Sequence, residues 1–451
     1  MSEFAEAPVA ALTGSMRDFR MPHGSDLLSR SEGFYEWQNL RRQNALWPFS
    51  RATDFGPRTQ VTAADDRGVT MEGVNFASQD YLSLSAHPAV IEAAIWAINH
   101  YGAHSAGSAA LVGNTTHSVA LEKKIAEFLH MGECVLYPTG WAAGYGAIKG
   151  FVRSYDHIVM DMLSHVCLQE GASAATRNIR QFRHLDVEHC RKHLAAIRAR
   201  DAENGVMIIV ESLFSMDSDV PDLSAFQDLA REYGATLLVD VAHDLGALGP
   251  GGRGFLGAQN MLGQADIVMG SFSKTFASNG GFVCVRNRAQ KEYLRFFSPS
   301  ATFSNALSPA QATTVLTAFE IIESADGEWL RAKLMRNVLA LRHALDQEGL
   351  GYYGDPSAIV CVKSGAEGLA RLVARRLPAL GLLANLVEYP AVPKGAARFR
   401  MQVMANHTQE QILRAVGVIK QAKAAAELEF EAHGAPQAEA EPEAAELMAA
   451  E

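Results

Sequence analysis

Asp266-Ile-Val-Met-Gly-Ser-Phe-Ser-Lys-Thr-Phe-Ala-Ser-Asn-Gly-Gly-Phe-Val283 decides how the rest of the chain is read. An apolar strand at 267–269 runs into a polar turn that presents one lysine, Lys274, and a glycine pair leads into a second apolar strand at 282–285. A lysine held at the end of a buried strand can be desolvated, and a desolvated amine forms Schiff bases with carbonyl compounds. Ser271 and Ser273 before it, and Thr275 after it, supply hydroxyls of the kind a neighbouring phosphate needs. Most lysines are solvated, so this turn alone would read as a surface loop. It is not a nucleotide P-loop either: that pattern needs Gly directly before the Lys, and Ser273 stands there.

Outward from this turn, strand and helix signals alternate. Short apolar strands are predicted at 134–137, 157–160, 206–210, 235–239, 267–269 and 282–285, with helices such as 185–198 and 223–233 between them. That alternation predicts an α/β fold with a mostly parallel central sheet covered by helices. Ligands of such sheets sit beyond the carboxyl ends of the strands. Thr139 and Gly140, Asp240 and His243, and 271–274 all fall at such ends. Asp240, closing Leu-Leu-Val-Asp, can keep a pyridinium nitrogen protonated, and His165, at another strand end, can stack on a flat ring. Pro138-Thr-Gly-Trp-Ala-Ala-Gly144 joins a strand to a helix whose free amides suit a phosphate.

Composition narrows the class. With 48% hydrophobic and 20% charged residues the chain reads as an ordinary globular protein. No apolar run approaches a membrane span, and the acidic N-terminus is not a secretory signal. The five cysteines (Cys134, Cys167, Cys190, Cys284 and Cys361) are odd in number and scattered, as expected of free thiols in a cytoplasmic protein. No basic stripe points to nucleic acid and no ligand spacing points to a metal; His184, His189 and Cys190 read as a helix surface. The net charge of −10 is mostly the tail: eight glutamates follow Lys423 with no lysine or arginine. The expected organisation is an N-terminal arm and helix (1–56), a cofactor-binding large domain (57–305), a smaller α+β domain (306–425) and a disordered acidic tail (426–451).

The motifs together resemble the α-oxoamine synthases, fold-type-I pyridoxal 5'-phosphate (PLP) enzymes, over roughly residues 75 to 413. Asn75-Phe-Ala-Ser-Gln-Asp-Tyr-Leu82, His117 with Leu121-Glu122, Phe214-Ser-Met-Asp217, Gly252-Arg-Gly254 and Arg398-Phe-Arg400 with Ala405-Asn-His-Thr408 carry the resemblance. The lysine loop is most similar to the serine palmitoyltransferase branch. The resemblance implies that Lys274 holds the cofactor as a Schiff base, that His165 stacks on its ring, that Asp240 pairs with the ring nitrogen and that His243 bonds the ring oxygen. Thr139, Gly140, Trp141, Ser215, Ser271 and Ser273 would hold the cofactor with them. Ser304 and Asn305 would reach the phosphate of a second subunit, so a homodimer with shared sites is implied. Gln79 and Arg400 would meet the amino-acid carboxylate.

The implied reaction is a decarboxylative Claisen-type condensation of an amino acid, serine in the first instance, with a long-chain acyl thioester. Alanine or glycine, with acyl-CoA or an acyl-carrier protein, is the alternative. A catalytically silent partner subunit is the reading from another class, and the presence of Lys274 speaks against it. The sequence leaves contact with a membrane surface open. Departures from the family pattern are Gln79 for Asn, Ala109 for Arg, Val241 for an acidic residue and Asp244 for Ser.

Overall fold

The structure, a computed structural model, describes residues 4–433. The chain divides into two compact units: one is Gln79–Ser215 with Asp219–Leu334, the other gathers the residues up to Ser78, Met216–Ser218 and the chain from Met335 onward.

The first unit is built on a seven-stranded sheet. In spatial order its strands are Glu133–Tyr137, Gly281–Val285, Ile267–Ser271, Thr236–Asp240, Val206–Glu211, His157–Asp161 and Ile179–Phe182. All pairings are parallel except those of Gly281–Val285, which runs antiparallel to both neighbours. Val206–Glu211 and Ile267–Ser271 are buried at every position, which is why they read as continuous apolar runs rather than alternating ones. Helices cover the sheet, and Ala143, Ala147, Ile148, Leu168 and Ala172 from two of them pack into one cluster with strand residues Ile158, Ile209 and Met269. Thr139, Asp186, Asp222 and Asn287 start helices by accepting a backbone N–H, each such cap worth about 1 kcal/mol.

Six strands lie where the apolar runs placed them. The seventh, Ile179–Phe182, escaped the sequence reading because it is the edge strand and only Phe182 in it is buried. His184 does not belong to a helix surface. It precedes the Val187–Arg198 helix, its Nδ1 lying 2.9 Å from Asp161 and its Nε2 3.0 Å from Asp219. Burial works against its charge, but the two carboxylates prevail and lift its pKa to about 10. Among the described residues no group of three His, Cys, Asp or Glu side chains could hold a metal. All five cysteines are free and buried.

The second unit carries the hairpin Gln60–Ala64 and Thr70–Asn75, and a four-stranded sheet ordered Tyr352–Tyr353, Ile359–Gly365, Ala397–Gln402, Asn385–Val387. Glu388 is buried between Arg41 and Arg371, at 3.3 and 2.8 Å. The N-terminal arm is not loose along its whole length. Arg371 donates to the carbonyls of Leu12, Thr13 and Gly14 at 2.7, 3.1 and 2.6 Å, so one buried guanidinium pins three successive arm residues. The last helix, Gln409–Ala432, runs into the stretch that composition marked as tail, because Glu429 pairs there with Arg375 and Arg376. The remainder of the acidic tail lies outside the described residues. No helix among the described residues is long and apolar enough to cross a membrane.

Candidate active site

A cavity of about 250 Å³ opens at the carboxyl ends of the central strands. Lys274, Asp240, His165, His243, Thr139, Gly140, Trp141, Ser271 and Ser273 all line it, nine residues gathered from four separate strand ends. Gln79, Ser215, Ser304, Asn305 and Arg400 are not among its lining. Ser215 is buried in the turn after Val206–Glu211. Asn305 is exposed, its Nδ2 3.0 Å from His104 Nε2. Arg400 belongs to the other unit, on Ala397–Gln402, with Nη1 3.9 Å from the Met216 sulfur.

At one end the Gly140–Phe151 helix points its N-terminus at the cavity. Thr139 caps it by accepting the Ala142 N–H at 3.0 Å. Position 140 must be glycine: a Cβ there would lie 2.3 Å from Ser271 Oγ. Ser271 and Ser273 hydroxyls are 2.8 Å apart beside it. Helix amides, two hydroxyls and a missing side chain make a cradle suited to a phosphate. The neighbouring Trp141 stacks on Tyr145, centroids 5.3 Å apart.

Asp240 sits deeper, 5% exposed. Burial pushes its carboxyl up to about 6, against the opposing charge of Lys274 and the Ala242 N–H it accepts at 2.9 Å. A cation beside a carboxylate so placed favours its charged form, which is what a pyridinium nitrogen supplies. His243 is fixed by Tyr81, whose hydroxyl lies 2.9 Å from its Nδ1. The residues present therefore fit PLP: a phosphate cradle, a lysine, and a buried acid.

Sequence reasoning missed three participants. Tyr81 was seen only as part of a motif. Glu211 is the register partner of Asp240 on the next strand and also lines the cavity. Burial, and then the charge of Asp240, hold its carboxyl well above the carboxylate range. Cys167 lines the cavity too, its sulfur 3.0 Å from His165 Nδ1. Asp244, one of the departures from the family pattern, lies behind the cavity. It accepts from Ser212 Oγ at 2.8 Å and Phe255 N–H at 2.6 Å, and burial pushes its pKa up to about 7.

A family model described as aminotransferase class I and II matches residues 71–419. The chain is 34% identical over 386 residues to the 8-amino-7-oxononanoate synthase of Klebsiella pneumoniae subsp. pneumoniae, covering 85% of this chain and 98% of that protein. It is 31% identical over 388 residues to the serine palmitoyltransferase of Bacteriovorax stolpii, covering 86% and 90%. With the 4-hydroxy-2,2'-bipyrrole-5-methanol synthase PigH of a Serratia species it shares 30% over 406 residues, 90% of this chain but 61% of that longer protein. Among solved structures, a serine palmitoyltransferase from S. paucimobilis bearing PLP and myriocin matches with TM-score 0.82 at 28% identity, over 89% of this chain and all of that one. The Sphingomonas wittichii serine palmitoyltransferase matches with TM-score 0.82 at 27% identity, over 90% of this chain and all of that one. The fold is that of the fold-type-I PLP enzymes. Within them, this chain belongs to the α-oxoamine synthases, acyltransferases that use PLP.

Proposed function

We propose that this enzyme condenses L-serine with a long-chain acyl thioester, releasing carbon dioxide and free thiol and leaving an α-amino ketone of the 3-ketosphinganine type. The carrying observation is the cavity that brings Lys274, Asp240, His165 and His243 together beside the phosphate cradle. PLP, when bound, withdraws electrons from the bond being broken at the amino acid. Lys274 anchors the cofactor, and its amine then moves the proton at the substrate α-carbon. Asp240 holds the cation at the ring nitrogen, where burial makes the pairing strong. His165 would lie against the ring. His243, held by the Tyr81 hydroxyl at 2.9 Å from Nδ1, would bond the ring oxygen. Thr139, Gly140, Trp141, Ser271 and Ser273 hold the phosphate, with Ser215 nearby, and Gln79 and Arg400 take the substrate carboxylate.

The serine reading is supported by the lysine loop and by the structural match to serine palmitoyltransferases. Sequence identity to 8-amino-7-oxononanoate synthases favours a second reading with alanine or glycine and another acyl donor, acyl-CoA or acyl-carrier protein. Mass spectrometry of the product from mixed amino acids and acyl thioesters decides between them. No serine-derived ketone in that mixture ends the first reading, and no product at all favours a silent partner subunit.

The homodimer is part of this proposal. Leu111, Val112 and Phe303 are 81, 91 and 87% exposed, apolar surface that at Phe303 adjoins Ser304 and Asn305 in the chain. A second copy would cover it and bring Ser304 and Asn305 to the neighbouring phosphate. Light scattering on the eluting holoenzyme should give twice the chain mass, and a monomer would rule the shared site out. A cytoplasmic location fits the five buried thiols.

A further inference from the structure

The groups that surround His165 have no assigned role. Its backbone N–H donates to Glu211 Oε1 at 2.5 Å. On its other side Nδ1 accepts the Cys167 N–H at 3.2 Å, with the Cys167 sulfur at 3.0 Å. His165 is thereby the N-cap of the Val166–Ala175 helix, gripped on the main chain by one strand-end carboxyl and on the ring by the first turn of the helix. Glu211 and Cys167 are 4% and 2% exposed, so neither grip is shared with solvent.

A neutral imidazole has one nitrogen that donates and one that accepts. With Nδ1 accepting, the proton resides on Nε2. We propose that Glu211 and Cys167 are positioning residues that clamp His165 from both sides, Glu211 at the main-chain N–H and Cys167 at Nδ1, where the contact fixes the Nε2–H tautomer, so that the ring meets cofactor and substrate as a donor in one orientation. This rests on the reading above that His165 lies against the cofactor ring. Cys167 is a hydrogen-bonding residue in this arrangement and not a nucleophile: burial, and then the charge of Asp240, push its thiol pKa far up, away from thiolate formation. Glu211 serves through its carbonyl-type oxygen, a role that a neutral side chain can fill.

The holoenzyme labelled with ¹⁵N-histidine gives the direct readout, the His165 signals being those lost in His165→Asn. Wild type should show a neutral ring protonated at Nε2. Glu211→Leu, which removes the acceptor of the His165 main-chain N–H, should lower kcat about tenfold at unchanged KM, the usual scale for groups that orient a reacting side chain. Cys167→Ala, which keeps the backbone donor, should cost about threefold. Glu211→Gln and Cys167→Ser retain an acceptor and a donor in place and should stay within about twofold of wild type, a rescue that a purely structural role would not produce. A wild-type His165 protonated at Nδ1, or Gln and Ser variants as impaired as Leu and Ala, overturns the clamp. Undiminished turnover in His165→Asn instead overturns the placement of His165 against the ring, while the tautomer measurement still decides the clamp, so the two failures are told apart.

Discussion

Each unit buries a carboxylate, and the two are compensated in opposite ways. Glu388 lies between Arg41 and Arg371, and Arg41 is itself sandwiched by the Trp37 and Trp47 rings at 4.7 and 5.3 Å. Burial, with the neighbouring Arg371 charge, pulls Arg41 down to about 10, and Glu388 opposes that fall. The cluster is closed: two cations, one anion, aromatic walls. Asp240 is as deeply placed, but it has one backbone N–H and the charge of Lys274 across the cavity, and burial still raises it to about 6. A buried acid held between cations serves the fold, whereas one compensated less fully suits a ligand.

The largest effect tests the cavity half of this comparison. Lys274→Ala removes the covalent anchor, so turnover should fall by about 10⁴-fold or more. Borohydride should no longer fix PLP to the protein. Retained turnover, or a fixed cofactor elsewhere in the chain, breaks the assignment of Lys274.

Neutralising the two carboxylates in turn sets the regions directly against each other. Glu388→Gln leaves two buried guanidiniums without their anion and should cost about 3–5 kcal/mol, read as a lower melting temperature, with kcat of the folded fraction unchanged. Asp240→Asn should leave melting of the cofactor-free protein unchanged or raised, while kcat drops about 10²- to 10³-fold. If both substitutions act on melting alone, Asp240 is a structural acid and the contrast is lost.

Titration separates Asp240 from His407 by sign. The folded Asp240 binds its proton more tightly (about 6) than the unfolded chain does (3.8), so the cofactor-free protein loses stability as pH rises from about 4 to about 6. The loss is roughly 3 kcal/mol at most for this group. Asp80 and Asp244, raised by burial to about 6 and about 7, act in the same direction. His407, in the other unit, does the reverse. Burial pushes it down to about 4, with Nδ1 accepting the Met404 N–H and the ring stacked on Phe76 at 4.0 Å. Its contribution is complete above about 6.5 and disappears as pH falls through about 4. Hydrogen exchange at pH 4 and pH 6.5 should show protection moving oppositely in Thr236–Asp240 and Ala397–Gln402. Adding PLP, or substituting Asp240→Asn, should flatten the Asp240 part of the slope; a slope indifferent to both would mean that other acids produce it.

The same contrast explains what could be read from the sequence. Strand ends bearing Asp240, His243 and Lys274 stood out because fully buried parallel strands are unbroken apolar runs, and the first polar residue after each marks the cavity. Glu211 meets that test too, as the first polar residue after 206–210, but no motif drew attention to it; the strand includes it and the register sets it beside Asp240. Cys167 looked like another core thiol, and only the helix start at Val166 turns it toward His165. The closed cluster of the other unit was illegible, since Arg41 is hundreds of positions from Arg371 and Glu388 and all three are residue types usually found at the surface.

The smallest effect concerns the end of the last helix, where composition and packing disagree. An Ala- and Glu-rich stretch has good helix propensity but little apolar surface to bury, so its order depends on where its charges go. Glu429 is 12% exposed, pairs with Arg375 and Arg376, and accepts the Ala7 N–H at 3.3 Å. It therefore ties the final turns of Gln409–Ala432 to the Glu367–Arg376 helix and to the arm at once. Glu429→Gln keeps the shape and removes the charge. Because the helix end can open without unfolding the unit, the change should cost only about 1 kcal/mol, confined to local opening rather than global unfolding. Exchange should accelerate at 425–432 and around Ala7 while the strand ends at Asp240 and Ser271 keep their protection. Equal acceleration at both places would mean that the helix end and the cavity belong to one cooperative unit, and that the two buried carboxylates are less independent than their surroundings suggest.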